Sequence, residues 1–151
     1  MDRPQAEIVW IGVMSPLPQP AEHPITVLLV EDHDSLRNKL LALLALESDL
    51  RIVSQAADGR QAVRLAGKLS PNVVVMDISM PLLDGLEAMR QILQARPTTQ
   101  VIMLSSYNED FFVEHARALG AAGYLFKQTC AHLLPQAIRE VYRKKAFFNP
   151  R

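Results

Sequence analysis

Reactive polar side chains follow four of the apolar runs in this 151-residue sequence. Each run is short, and the run that ends on Asp77 has three β-branched residues among four apolar ones, a pattern typical of a strand buried on both faces. The polar residues that end these runs are Glu31 and Asp32, Asp77, Ser105, and Lys127. Carboxylates, a hydroxyl and an ammonium in one site could bind a divalent cation and a phosphoryl group. This chemistry requires that the runs deliver their ends to one place.

The apolar runs alternate with helical patterns along the chain. Five predicted strands begin near Ile25, Arg51, Val73, Gln100 and Tyr124. Strands that alternate with helices over short loops predict an α/β fold, in which a five-stranded parallel sheet carries helices on both faces. Because all carboxyl ends of a parallel sheet lie along one edge, the polar residues should converge on one crevice.

The predicted crevice holds three carboxylates, which repel one another unless cations compensate them. Lys127 supplies one positive charge, and Mg2+ suits the remainder because it prefers a few carboxylates, water and a phosphoryl oxygen. A carboxylate beside Mg2+, a hydroxyl and a lysine is equipped for phosphoryl transfer to that carboxylate. Taken alone, Asp77 could equally be a residue that caps the following helix.

Polar residues also precede three of the helical patterns. Asp34, Asn108 and Thr129 are predicted to be the N-caps of the first, fourth and fifth helices. The last helix ends in basic residues, and we interpret this end as solvated and favourable to the helix dipole rather than as a nucleic-acid site. These basic residues are Arg139, Arg143, Lys144 and Lys145.

Four phrases of the sequence resemble the receiver domain of two-component response regulators, most closely the NarL/FixJ branch. They are Leu28-Leu29-Val30-Glu31-Asp32-His33, Met76-Asp77-Ile78-Ser79-Met80-Pro81 followed by Asp84-Gly85-Leu86-Glu87, Leu104-Ser105, and Gly120-Ala121-Ala122-Gly123-Tyr124-Leu125-Phe126-Lys127. The resemblance implies a (βα)5 flavodoxin-like receiver fold. Two positions depart from the family pattern: Gln128 follows the lysine where Pro or Asp is frequent, and Leu82 replaces a frequent glycine.

The resemblance also implies a role for each matching residue. Asp77 matches the phosphoacceptor, and Lys127 matches the lysine that pairs with the phosphoryl group. Ser105 and Tyr124 match the hydroxyl and the aromatic residue that switch position. The residues that match the Mg2+ ligands are Glu31, Asp32, Asp77 and, through its backbone carbonyl, Ser79.

The function implied by the resemblance is a phosphorylation switch served by a partner sensor histidine kinase. Relatives of this branch usually carry a DNA-binding output domain, so we expect control of transcription through a domain outside this chain, with a homodimer as a further expected partner state. The chain is expected to be a signalling domain rather than an enzyme. The alternatives are a receiver-like interaction module that works without phosphorylation and an Asp-nucleophile phosphatase. For the phosphatase, Ser79 stands where a general-acid Asp would be needed.

Composition limits the remaining classes. The formal net charge is zero, which gives no electrostatic argument for nucleic-acid binding by the chain itself. A single cysteine, Cys130, excludes an internal disulfide and fits a cytoplasmic location. The four histidines are interpreted as surface or local structural residues, of which His33 is nearest the predicted site. No membrane segment is expected.

The chain divides by composition into three parts. Residues 1–24 hold half of the ten prolines and are predicted to be a Pro-rich N-terminal extension. Residues 25–146 are the predicted receiver domain, and residues 147–151 are assigned to a C-terminal tail or the start of a linker. We expect the sequence to be the receiver part of a longer DNA-binding regulator, with a stand-alone receiver as the alternative.

Overall fold

A computed structural model of the chain describes residues 22–149. Strands and helices alternate throughout this range, and all strands belong to one parallel sheet. The strands are β1 (Ile25–Val30), β2 (Leu50–Ala56), β3 (Val73–Asp77), β4 (Gln100–Ser105), β5 (Gly123–Phe126) and β6 (Phe147–Asn149). The helices are α1 (Asp34–Leu44), α2 (Gly59–Leu69), α3 (Gly85–Ala95), α4 (Asp110–Ala118) and α5 (Cys130–Tyr142).

The sheet has the strand order β2-β1-β3-β4-β5-β6, which puts β3 near its centre. Successive residues of β3 point to opposite faces, so Val73 and Val75 join one apolar core while Val74 and Met76 join the other. Helices α1 and α5 cover the first face, and α2, α3 and α4 cover the second. The prediction of a parallel α/β sheet with helices on both faces is therefore confirmed.

The predicted number of strands was wrong, because the sheet has six strands rather than five. Lys144 adopts a left-handed φ of 66° after α5, and the chain then turns back to the sheet. Phe147 donates its backbone N–H to Ala122 at 3.0 Å, and the Arg117 guanidinium lies 3.8 Å from the centre of the Phe148 ring. Strand β6 thus lies within residues 147–151, which the sequence assigned to a tail. Most of the predicted N-terminal extension, residues 1–21, lies outside the residues that the structure describes. The described residues begin at Glu22, next to the proposed boundary at residue 24.

In two helices, α2 and α3, the N-cap residue is the Asp of an Asp-Gly pair. Asp58 accepts a hydrogen bond from the Gln61 N–H at 2.8 Å, and Asp84 accepts one from the Glu87 N–H at 2.9 Å. Two predicted caps were wrong by one residue, because α1 has His33 at its N-cap instead of Asp34, and α4 has Glu109 instead of Asn108.

Thr129 is the N-cap residue of α5, as predicted. Its hydroxyl donates to the Phe126 carbonyl at 3.4 Å rather than capping the helix. Among residues 22–149, no helix is long and apolar enough to cross a membrane.

Candidate functional site

Four neighbouring strands deliver the predicted site residues to the carboxyl edge of the sheet. β1, β3, β4 and β5 are adjacent, and Asp77 and Ser105 are the last residues of β3 and β4. Glu31 and Lys127 directly follow β1 and β5. The parallel pairing alone therefore brings together residues that are up to 96 positions apart in the chain.

Lys127 connects two buried carboxylates. Its ammonium donates to Oδ2 of Asp77 at 3.0 Å and to Oε2 of Glu31 at 3.2 Å. The Glu31 side chain is fully buried, and only 3% of the Asp77 side chain is exposed. A single ammonium thus pairs with two desolvated carboxylates, which leaves this part of the site with excess negative charge.

The excess charge affects the protonation of Asp77. Burial raises the pKa of Asp77 to about 6, and the neighbouring Glu31 charge adds to this effect, against the opposing pull of Lys127. Burial also disfavours the charged form of Lys127, but the hydrogen bonds and charges of Asp77 and Glu31 outweigh it and raise the pKa of Lys127. The ammonium is therefore held in its charged state between them.

Asp32 extends the acidic group toward solvent. Burial acts to raise the pKa of Asp32, but hydrogen bonding to Asp77 and Glu31, the nearby His33 and a backbone hydrogen bond together outweigh it, so the pKa lies below its ordinary value. Of this pair, Asp77 is the residue that holds a proton more strongly.

The acidic group has the donor set of a divalent-cation site. Glu31, Asp32, His33 and Asp77 each offer one ligand atom, and these atoms lie within 4.8 Å of one another. Within the described residues, the buried Oδ1 of Asp32 accepts no hydrogen bond, whereas Oε1 of Glu31 lies 3.1 Å from the Lys127 ammonium. A buried carboxylate oxygen without a hydrogen-bond donor fits a hard cation such as Mg2+. Sequence reasoning did not assign His33 to this group, although its position directly after Asp32 was a signal.

Backbone hydrogen bonds of the loop after β3 fix the position of Asp77. The Ser79 N–H donates to Oδ1 of Asp77 at 3.1 Å, and the Gly85 N–H donates to the Ile78 carbonyl at 2.7 Å. A Cβ atom on Gly85 would lie 2.1 Å from the Asp77 carbonyl oxygen, so only glycine permits this approach. The start of α3 thereby fixes the backbone that carries Asp77.

The two predicted switch residues meet at Tyr107. The Tyr107 N–H donates to Oγ of Ser105 at 2.9 Å, and the Tyr124 hydroxyl donates to the Tyr107 carbonyl at 2.6 Å. Ser105 and Tyr124 are both buried, whereas Tyr107 is 44% exposed and stacks on Phe112 with ring centres 4.8 Å apart. Tyr107 also lines an apolar cavity of about 510 Å³ beside Ser79, which the sequence did not predict.

The structure thus brings all the predicted site residues to one edge of the sheet. Lys127 directly contacts Asp77 and Glu31, and Ser79 contacts Asp77 through its backbone N–H. Ser105 and Tyr124 are linked through Tyr107 rather than to Asp77. Their assigned roles in phosphorylation stay predictions.

Comparison with known proteins identifies the family. The sequence family described as the response regulator receiver domain matches residues 27–139. Transcriptional regulatory protein DegU of Brevibacillus brevis is 35% identical over 130 residues, which are 86% of this chain and 55% of DegU. Response regulator GacA of Pseudomonas aeruginosa is 38% identical over 126 residues, which are 83% of this chain and 59% of GacA. The chain therefore spans less than two thirds of the length of these relatives.

Solved structures show the same relationship. A LuxR-family two-component response regulator from Aurantimonas sp. SI85-9A1 is 29% identical and superposes with a TM-score of 0.80, covering 84% of this chain and 91% of that one. The response regulator domain of Thermotoga maritima CheB is 32% identical with a TM-score of 0.75, covering 80% and 98%. These matches confirm the family that the motifs predicted, and the chain belongs to the response regulator receiver domains.

Proposed function

We propose that this receiver domain accepts a phosphoryl group on Asp77 from the phosphohistidine of a sensor histidine kinase. The observation that carries the proposal is the Lys127 ammonium held at 3.0 Å from the buried Asp77 carboxylate, beside the acidic group of Glu31 and Asp32. A carboxylate that is desolvated, oriented by backbone and paired with a fixed cation is suited to nucleophilic attack.

In the transfer, a carboxylate oxygen of Asp77 attacks phosphorus and forms an acyl phosphate. The phosphorus–nitrogen bond of the phosphohistidine breaks, and its electron pair returns to the imidazole of the kinase. Asp77 must be ionised to attack, and a pKa of about 6 leaves most of it ionised at neutral pH. Lys127 can then pair with the phosphoryl oxygens, because it already lies beside the attacking carboxylate.

Mg2+ would be held by the carboxylates of Glu31, Asp32 and Asp77 and by the backbone carbonyl of Ser79. When bound, the ion supplies charge neutralisation on the transferring phosphoryl group. The buried Oδ1 of Asp32, which accepts no hydrogen bond from the described part of the chain, supports this assignment.

The phosphoryl group would change the hydrogen bonds of Ser105 and Tyr124. Inverting a strongly biased two-state equilibrium requires about 5.5 kcal/mol of preference for the active state. Hydrogen bonds from Ser105 and Lys127 to the charged phosphoryl group, at about 1.5 to 3 kcal/mol each, supply much of that preference. The surface of α4, β5 and α5 would report the change, since Tyr107 and Tyr124 connect this surface to the site.

The output of the switch is inferred from the relatives. DegU is named a transcriptional regulatory protein, and the 130 matched residues of this chain cover 55% of its length. We infer that the domain controls transcription through a DNA-binding domain outside this sequence, in a form that can homodimerise. A phosphorylation-independent interaction module is the competing function.

Acetyl phosphate with Mg2+ tests the proposal. Intact-mass measurement should show one added phosphoryl group on the wild-type chain and none on Asp77→Asn. Asp49→Asn is the matched control, because Asp49 lies in an ion pair with Arg139 away from the site, and it should be labelled like the wild type. No labelling of the wild type, together with no response to beryllofluoride, would support the interaction module. Equal labelling of Asp77→Asn would also reject the proposal.

A further inference from the structure

His33 lies at the solvent side of the acidic group. Its backbone N–H donates to Oε2 of Glu31 at 3.1 Å, which holds the residue in place ahead of α1. Its ring nitrogen Nδ1 lies 3.2 Å from Oε2 of Glu31 and 3.4 Å from Oδ1 of Asp32. The side chain is 71% exposed, whereas the Glu31 side chain is fully buried. The imidazole therefore faces the carboxylates with Nδ1 and remains accessible from solvent.

The donor set of this crevice combines oxygens with one nitrogen. Glu31, Asp32 and Asp77 supply carboxylate oxygens, and His33 supplies the nitrogen. Oxygen ligands suit Mg2+, whereas imidazole suits Ni2+, Zn2+ and Cu2+, and affinity for a mixed site rises along the first-row series toward copper. An imidazole in this position adds little for Mg2+ but adds a preferred ligand for a later transition metal.

The charges also favour a divalent ion. The crevice contains the carboxylates of Glu31, Asp32 and Asp77. Among the described side chains, the ammonium of Lys127 is the permanent cation within salt-bridge distance of these carboxylates. One divalent ion would balance the remaining negative charge. Oδ1 of Asp32 is 3.4 Å from Nδ1 of His33 and has no hydrogen-bond partner in residues 22–149. These two atoms can therefore face the same ion.

We propose that His33 is a metal ligand that allows this crevice to bind later first-row divalent metals, such as Ni2+, in competition with Mg2+. The proposal rests on the proposed function insofar as the Mg2+ site is the same crevice. Without a bound metal, the His33 ring hydrogen-bonds to Glu31. With a transition metal, Nδ1 of the neutral ring donates its lone pair to the ion instead.

Isothermal titration calorimetry on the full 151-residue chain without an affinity tag tests this assignment. NiCl2 and MgCl2 are titrated separately into the wild type, His33→Asn and the control His23→Asn. His23 is exposed and precedes β1, at the opposite edge of the sheet. We expect His33→Asn to weaken Ni2+ binding by about tenfold or more and to leave the Mg2+ affinity within about twofold. His23→Asn should leave the affinity of the competed Ni2+ site unchanged.

Competition identifies the site. Saturating Mg2+ should weaken the apparent Ni2+ affinity of the wild type, because both ions need the same carboxylates. The proposal is overturned if His33→Asn binds Ni2+ as tightly as the wild type, or if Mg2+ does not compete. It is also overturned if His33→Asn loses Mg2+ and Ni2+ equally, because His33 then only orients Glu31. Phosphorylation of Asp77 is measured separately by mass, so its failure is distinguishable from failure of this proposal.

Discussion

Two clusters of charged side chains tie distant parts of this domain together, and they are balanced in opposite ways. At the carboxyl edge, Lys127 serves the buried carboxylates of both Asp77 and Glu31. Near the start of β2, Arg139 on α5 pairs with Glu47 and, through two hydrogen bonds of 2.7 and 2.8 Å, with Asp49. The second cluster is partly exposed to water, whereas the carboxylates of the first are buried and its Lys127 side chain is only 15% exposed.

The pKa values show the consequence of this difference. The Arg139 hydrogen bonds hold the pKa of Asp49 below its ordinary value, whereas burial and Glu31 raise the pKa of Asp77 to about 6. Pairing in the Arg139 cluster favours the folded state. The Lys127 cluster instead retains negative charge that a cation or a phosphoryl-transfer partner can use. Negative charge that internal pairing leaves unbalanced marks the Lys127 cluster as a candidate functional site.

Removing the cation of the buried cluster should have the largest effect on stability. Lys127→Met leaves Asp77 and Glu31 desolvated without a counter-charge, and we expect a loss of about 3 to 5 kcal/mol in the free energy of unfolding. Urea denaturation at pH 7 with a chelator measures this loss. Lys68→Met is the matched control, because Lys68 is exposed on α2. Equal stability of the two variants would show that the Lys127 ammonium does not stabilise the buried carboxylates of Asp77 and Glu31.

Removing the Asp77 charge should act in the opposite direction. Between the ordinary pKa of 3.8 and the folded-state pKa of about 6, the folded protein binds more protons than the unfolded chain. The wild type should therefore lose stability as pH rises from about 4 to about 6. The difference of roughly two pKa units sets an upper limit of about 3 kcal/mol.

Asp77→Asn should lack this contribution and be more stable than the wild type at pH 7 without Mg2+. Chemical denaturation over the same pH range checks the expectation. Asp49→Asn provides the comparison of opposite sign, because its carboxylate is stabilised by Arg139, and that variant should be less stable than the wild type. If both Asn variants change stability in the same direction, the contrast between the clusters is wrong.

The smallest effect is expected in the Arg139 cluster. Arg139→Met should cost about 1 kcal/mol, because water already screens much of this ion-pair network. Thermal or urea unfolding measures the change, and added salt should reduce it. Arg90→Met is the control, since Arg90 is 52% exposed and pairs with Glu87 within its own helix. If Arg139→Met lowered the free energy of unfolding as much as Lys127→Met, the two clusters would contribute equally to stability, and the contrast between them would be wrong.

The sequence predicts the site well where strand topology alone determines position. Asp77 and Lys127 are each recognisable as polar residues after short apolar runs, and a parallel sheet must bring such ends to one edge. Their contact over 50 positions follows from that rule without any knowledge of side-chain packing.

Other features depend on contacts that no local pattern contains. Strand β6 has three residues, too few for a periodic signal, and it is held by the Ala122 backbone and by Arg117 stacking on Phe148. Arg139 was interpreted as part of a solvated helix end, whereas the structure pairs it with Asp49 across 90 positions. The N-cap of α1 is His33, whose backbone N–H donates to Glu31.

Tyr107 takes no part in the proposed chemistry, yet its two backbone polar groups hold both predicted switch side chains. If Ser105 turned toward a phosphoryl group, it would release the Tyr107 N–H, and a resulting shift of the Tyr107 backbone would move the carbonyl that accepts the Tyr124 hydroxyl. As switch residues, the two side chains would therefore not respond independently, since both are hydrogen-bonded to the backbone of Tyr107. Phosphorylation of Asp77 would then be transmitted as a movement of the main chain at position 107. Because only backbone atoms of Tyr107 make these hydrogen bonds, many side chains at position 107 would be compatible with the transmission.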